Sequence, residues 1–312
     1  MKIFPTHPAR RGFTLIELLL AMAITVLIAS VLVSVTAVAI DSWNRSRAEI
    51  RAARQAKFMV DAIAKDFESL VTRRGNTYEW LSAKTVARLP GNNTTQSANA
   101  ANLIFFTAAT DRYDGKINTT DDKGGDVSCV AYQLQYRDPI SGGSDNTFST
   151  FTLYRLLVNP NDAFENLLGK ESLETAFQGY SGKVADLKNF VCENIYQYSM
   201  VFHIEVTRDA GAGKVTKLSV PVSLGPTAGS GRVTEFRILG SGLELASAPS
   251  SAVTLDELKA GRVAAMEVSL TVISDSGMQQ LRNRTDLVGT ALTKFMAKNA
   301  FQYSKRVELP CM

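Results

Sequence analysis

Residues able to make or break bonds are scarce in this chain of 312 residues, which holds two histidines and three cysteines. His7 lies in a basic amino-terminal stretch. His203 sits in an alternating run, with Val201, His203 and Glu205 opposed to Phe202, Ile204 and Val206, so it is expected to face solvent or a rim. The chain contains no Gly-x-Ser-x-Gly elbow, no phosphate-cradling Walker loop and no His-Glu-x-x-His pair. These absences predict no catalytic residue, no cofactor and no small-molecule substrate.

Two further groups could do chemistry. Asp111–Asp122 offers clustered oxygen ligands of the kind a hard cation such as calcium takes. Arg112 and Lys116 interrupt it, and no glutamate closes it as an EF-hand requires. It reads as a solvated acidic loop, with a calcium site as the alternative, and no metal ligand is assigned. Cys129, Cys192 and Cys311 form an odd set. An oxidising compartment permits one bridge, for which Cys129 and Cys192 are the conceivable pair because both flank strands. Buried free thiols are the alternative, and no Cys-x-x-Cys argues for zinc.

Glu17 is the most informative charged residue, because it stands at the edge of a long apolar segment. Leu18–Ile40 runs for 23 residues without a charge, proline or glycine. As a helix it would be about 35 Å long, enough to cross a hydrocarbon core of about 30 Å. It is too long for a signal-peptide core. A carboxylate at the edge of such a segment costs a few kcal/mol unless it has a partner or a function. Lys2, Arg10 and Arg11 precede the span and keep that end cytoplasmic by the positive-inside rule. Arg45, Arg47, Arg51, Arg54 and Lys57 come after it, at spacings that suggest one solvated face of a continuing helix.

The formal net charge of +4 is small for this length and does not point to a nucleic-acid partner. Residues 1–70 carry nine Lys/Arg against six Asp/Glu, leaving 25 against 24 for residues 71–312. Tyr132, Tyr136, Tyr154, Tyr196, Tyr198 and Tyr303 are expected to pack a sheet rather than stack on bases.

Residues 41–72 lack glycine and proline and predict an amphipathic helix, with Ile50, Ala53, the stem of Lys57, Met59, Ile63, Phe67 and Leu70 along its apolar stripe. From residue 73 the pattern changes to period two with turn punctuation. Leu103–Thr107, Ser128–Tyr136, Phe148–Leu157, Tyr198–Thr207, Lys214–Val222 and Val263–Ile273 read as strands. Asp209–Gly213 reads as a hairpin loop between the fourth and fifth. Asn161–Leu168 predicts a short helix, Gly277–Ala300 a longer one, and Phe301–Pro310 an edge strand. The predicted class is α+β, with a long amino-terminal helix, transmembrane then amphipathic, packed on antiparallel sheet.

The run from Gly12 and Phe13, through Glu17 as the fifth residue after Gly12, to an unbroken apolar span resembles the type IV prepilin family. That resemblance covers about 30 residues. It implies a pilin-like fold, a leader over residues 1–12, cleavage between Gly12 and Phe13 by a prepilin peptidase, and N-methylation of Phe13. It also implies that Glu17 pairs with the terminal amine of a neighbouring subunit and so sets assembly register. The segments would then be a transmembrane assembly helix over 13–40, an amphipathic extension over 41–72 and an extracytoplasmic domain over 73–312.

Two later segments are similar to the J-type minor pseudopilins of type II secretion: Cys129–Arg155, ending in Leu153-Tyr154-Arg155, and Val191–Val206, with Glu193-Asn194-Ile195. Together they resemble still more closely the Verru_Chthon cassette protein C group of prepilin-like proteins. The implied function is a membrane-anchored, non-enzymatic subunit of a type II secretion pseudopilus, with a type IV pilus minor pilin for adhesion or DNA uptake as the alternative. The implied partners are the prepilin peptidase and N-methyltransferase, other pilin-like subunits and inner-membrane lipid. The implied location is the bacterial inner membrane, single-pass, with the amino terminus cytoplasmic and the carboxy-terminal domain periplasmic.

Overall fold

The computed structural model describes residues 14–86, 101–108, 126–142, 148–209, 215–226, 231–246, 248, 252–284 and 286–309. It divides into two compact units, Met1–Ile50 and Arg51–Met312. In the first, every described residue from Leu15 onward is helical, and the large apolar side chains between Leu15 and Ile40 are all exposed. The helix to which they belong, α1 (Leu15–Glu68), is long and apolar enough to cross a membrane by length and composition.

The second unit begins within α1. Here Ala52, Ala56, Met59, Val60, Ile63, Ala64 and Phe67 are buried, at the three- and four-residue intervals that place them on one helical face. Met59, Ile63, Phe67 and Leu70 of the expected stripe are buried, whereas Ile50 and Lys57 are exposed and Ala52, Ala56 and Ala64 share the buried face. The helix stops at Glu68, four residues before the predicted end. Beyond it Val71 N–H donates to Phe106 O at 2.9 Å and Ala108 N–H to Ser69 O at 2.9 Å, so the chain turns sheetward.

Twelve strands come next among the described residues. They are β1 (Glu79–Thr85), β2 (Ala101–Thr107), β3 (Ser128–Arg137), β4 (Thr150–Val158), β5 (Phe190–Glu193) and β6 (Ile195–Asp209). Then come β7 (Val215–Leu224), β8 (Arg232–Val233), β9 (Glu235–Leu239), β10 (Gly242–Leu245), β11 (Arg262–Ile273) and β12 (Ala300–Glu308). They form two sheets rather than one: a seven-stranded sheet in the order β10-β9-β1-β2-β3-β4-β5, and a five-stranded sheet in the order β12-β11-β6-β7-β8. Every pairing among them is antiparallel except the short β7–β8 contact. The class is α+β.

The seven-stranded sheet is covered on both faces, which explains why β2 and β3 show little apolar–polar alternation. Phe105, Val130 and Tyr132 join the main core with α1 and the five-stranded sheet. Ile104, Phe106, Cys129 and Ala131 point the other way, into a second core capped by the short helical turns between Pro160 and Val184. Phe67 bridges the sheets from α1, with ring centroids 5.6 Å from Phe105 and 6.4 Å from Phe202.

The expected helix over Gly277–Ala300 is two helices, Asp275–Asn283 and Gly289–Asn299. Ser274 caps the first by accepting from Gly277 N–H at 3.1 Å. Extended backbone at Arg284 ends it. The predicted hairpin is present, since Asp209 pairs with Val215; residues 210–214 of its loop lie outside the described set. The short β5, β8, β9 and β10, and β1, have no counterpart among the predicted strands.

Candidate processing and assembly segment

Thr14 precedes the first helical residue and carries the hydroxyl of an N-cap, and Glu17 lies three residues on. Glu17 Oε2 accepts from Thr14 N–H and from Thr14 Oγ1–H, both at 2.9 Å, while Glu17 N–H donates to Thr14 Oγ1 at 3.4 Å. This is a capping box, in which side chain and backbone satisfy each other's free groups at a helix start. Glu17 thus has a partner within its own chain, besides the neighbouring-subunit amine that the family resemblance implies. Thr14-Leu15-Ile16-Glu17 carries the Thr-x-x-Glu spacing of such a box in plain view.

Three of the four hydroxyl side chains in Leu18–Ile40 bond within the helix. Thr25 Oγ1 donates to Ala21 O at 2.8 Å, Ser30 Oγ to Leu27 O at 2.8 Å and Thr36 Oγ1 to Leu32 O at 2.7 Å. Each is satisfied on the preceding turn, so none needs water or a second helix in hydrocarbon.

Residues 7–33 match the prokaryotic N-terminal methylation motif. The methylation motif thus covers Gly12, Phe13 and Glu17 and the first part of the apolar span. Gly12 and Phe13 themselves lie outside the described residues, as does Asp111–Asp122. No curated protein matches the chain. Among solved structures, a type IV-like pilin from Thermus thermophilus aligns at 10% identity over 83% of this chain and 97% of that one, with a TM-score of 0.31.

Away from the methylation motif, the residues singled out in the sequence have structural surroundings. Cys129 and Cys192 are free buried thiols in different cores, Cys129 behind the seven-stranded sheet and Cys192 in the main core. Cys192 Sγ lies 3.6 Å from Met59 Sδ. Burial pushes both thiols well above their ordinary pKa, so neither is a ready nucleophile. Cys311 lies outside the described residues.

His203 does lie on the outward face of β6, but it is more covered than expected: its side chain is 15% exposed and its Nε2 sits 3.8 Å from Glu267 Oε2. Among the described residues, no three His, Cys, Asp or Glu side chains converge as a metal site.

The two later motifs hold the domain together. Arg155, at the end of Leu153-Tyr154-Arg155, is ion-paired to Asp66 of α1. Asn194, in Glu193-Asn194-Ile195, turns the chain between β5 and β6 with φ +63°. Its carbonyl oxygen Oδ1 accepts from Thr150 Oγ1 at 2.7 Å and its Nδ2 donates to Asp275 Oδ1 at 2.8 Å. Asp66 escapes the sequence reading, although a carboxylate between Ile63 and Phe67 on an apolar stripe already demands a partner.

Proposed function

We propose that the chain is a membrane-anchored prepilin-like subunit whose role is assembly rather than turnover. The observation that carries this reading is the methylation motif at residues 7–33 leading straight into an exposed apolar helix. In this reading a prepilin peptidase and N-methyltransferase removes residues 1–12 and methylates Phe13. The apolar helix stores the subunit in the inner membrane, with the amino terminus cytoplasmic and the β-rich domain periplasmic. Removal of Lys2, Arg10 and Arg11 brings the side-chain charge from +4 to +4 − 3 = +1.

Glu17 sets register when it exchanges its Thr14 partners for the amine of a neighbouring subunit, since a misplaced subunit would leave two charges unpaired. A minor pseudopilin of a type II secretion system is the finer assignment. It is supported by the Leu153-Tyr154-Arg155 and Glu193-Asn194-Ile195 resemblances and by a domain of about 240 residues, larger than a repeating major subunit is expected to carry.

Gly12→Val tests the processing step, because a branched side chain replaces the glycine at the cleavage position. The variant is expected to accumulate as the longer precursor on a gel. Migration identical to the wild-type protein would refute the reading.

A further inference from the structure

The four residues Arg73-Arg74-Gly75-Asn76 form a turn held on the β9–β10 hairpin. Gly75, at φ +86°, donates its N–H to Gly240 O at 3.0 Å, and Gly240 N–H donates to Tyr78 O at 2.9 Å. Asn76 Oδ1 accepts from Tyr78 N–H at 3.1 Å and from Trp80 Nε1–H at 3.3 Å. A Cβ on Gly240 would collide with Asn76 Oδ1, so the hairpin glycine is what lets the turn sit this close. The two arginines are therefore presented from a fixed backbone.

Beside the turn lies a cleft of about 150 Å³. Leu70, Ile238, Leu243 and Leu309 give it an apolar floor. Arg73, Arg74, Lys259 and Arg262 also line it, and no carboxylate lines it among the described residues. Arg262 is engaged by Glu205 at 3.0 Å. Arg73, Arg74 and Lys259 are exposed and make no ion pair or side-chain hydrogen bond among the described residues. Arg74 also lines an adjoining hollow with Glu205, Asp256 and Glu257, so Arg73 and Lys259 carry the unneutralised charge of the cleft. An anion set beside them is attracted within the Debye length of about 8 Å at physiological salt.

We propose that this cleft docks a protein segment bearing a carboxylate next to an aliphatic side chain. The carboxylate would take the planar, paired donors of Arg73 or Arg74 with Lys259 opposite, and the aliphatic group would cover the leucine-lined floor. An inorganic anion satisfies the rim and leaves the floor bare, which is why a peptide is the better occupant. The cleft alone supports this docking site, which stands independently of the filament reading.

The test uses the full chain in detergent micelles and a fluorescein-labelled octapeptide alternating leucine and glutamate, with the same peptide carrying glutamine in place of glutamate as control. Fluorescence anisotropy is expected to show saturable binding of the glutamate peptide alone. Arg73→Gln with Arg74→Gln, and separately Lys259→Gln, should each weaken it about tenfold or more, with unfolding midpoints unchanged. Lys259→Gln leaves the turn untouched, so it stands if the arginine pair perturbs folding. Equal binding of the glutamine peptide, unchanged affinity in Lys259→Gln, or displacement by an equal concentration of inorganic phosphate would overturn the proposal.

Discussion

Arg155 donates two hydrogen bonds to Asp66, Nε to Oδ2 at 2.6 Å and Nη2 to Oδ1 at 2.7 Å, with the two side chains 6% and 3% exposed. Tyr132 OH donates to the same Oδ2 at 2.5 Å, and Thr107 Oγ1 to the backbone oxygen of Asp66 at 2.8 Å. Asp66 thus ties the last turns of α1 to β3 and β4 through its carboxylate and to β2 through its backbone oxygen. The joint fixes the rotation and height of these turns against the sheets, because a shifted helix would leave two buried charges unpaired.

Breaking this joint from one side should be costly. Asp66→Ala leaves Arg155 charged and buried, a loss of about 3–5 kcal/mol. Tyr132→Phe removes one hydrogen bond to a charged group, about 1.5–3 kcal/mol. Asp66→Leu combined with Arg155→Met should recover much of the single-variant loss. Urea unfolding followed by the buried Trp80 checks this, in a Trp43→Phe background because Trp43 is exposed. Additive losses in the double variant would show that the pair is not coupled.

Asn194 bears a different strain. It holds a left-handed backbone and donates and accepts across Asp275 and Thr150. Asn194→Ala loses both hydrogen bonds and, with them, the local bonding that lets asparagine hold the left-handed region, for about 2–4 kcal/mol in all. Asn194→Gly keeps the conformation and should cost about 1–2 kcal/mol less. The two variants compared in the same urea assay separate backbone from side chain.

Stability should fall on the alkaline side. Burial raises the Cys129 and Cys192 thiols and the Tyr198 and Tyr132 hydroxyls, and the neighbouring Asp66 charge raises Tyr132 further. The unfolded chain releases these protons near their ordinary values, about 8.5 for a thiol and about 10 for a phenol, while the folded chain keeps them. The contribution is complete below about pH 8 and is lost as pH rises past those values toward the raised ones. The urea midpoint should be flat to about pH 8 and then decline. Cys129→Ser with Cys192→Ala should delay the onset toward about pH 10.

Much of this is legible in the chain itself, and the gaps have physical causes. Leu18–Ile40 and Glu17 announce an apolar helix with a guarded end, and seven strands are visible, six as runs bounded by turns and β12 as the expected edge strand at Phe301–Pro310. The strands β5, β9 and β10 hold four or five residues each, too few to display a period. Only the amino-terminal end of the helical stripe differs from expectation, because Ala52 and Ala56, not the larger Ile50, are buried there. The Asp66–Arg155 pair joins residues 89 apart in sequence, a partnership no local spacing encodes. The Thr14–Glu17 box is readable in principle, since its whole signal lies in four residues.

The proposed course of the chain is cleavage after Gly12 and assembly through the helix beyond it. Mass spectrometry of the amino-terminal peptide, taken from the protein in its native membrane, tests it most directly. The expected first residue is Phe13, carrying one methyl group on its amine. A peptide still bearing Met1–Gly12, or an unmethylated start elsewhere in the apolar span, would contradict it.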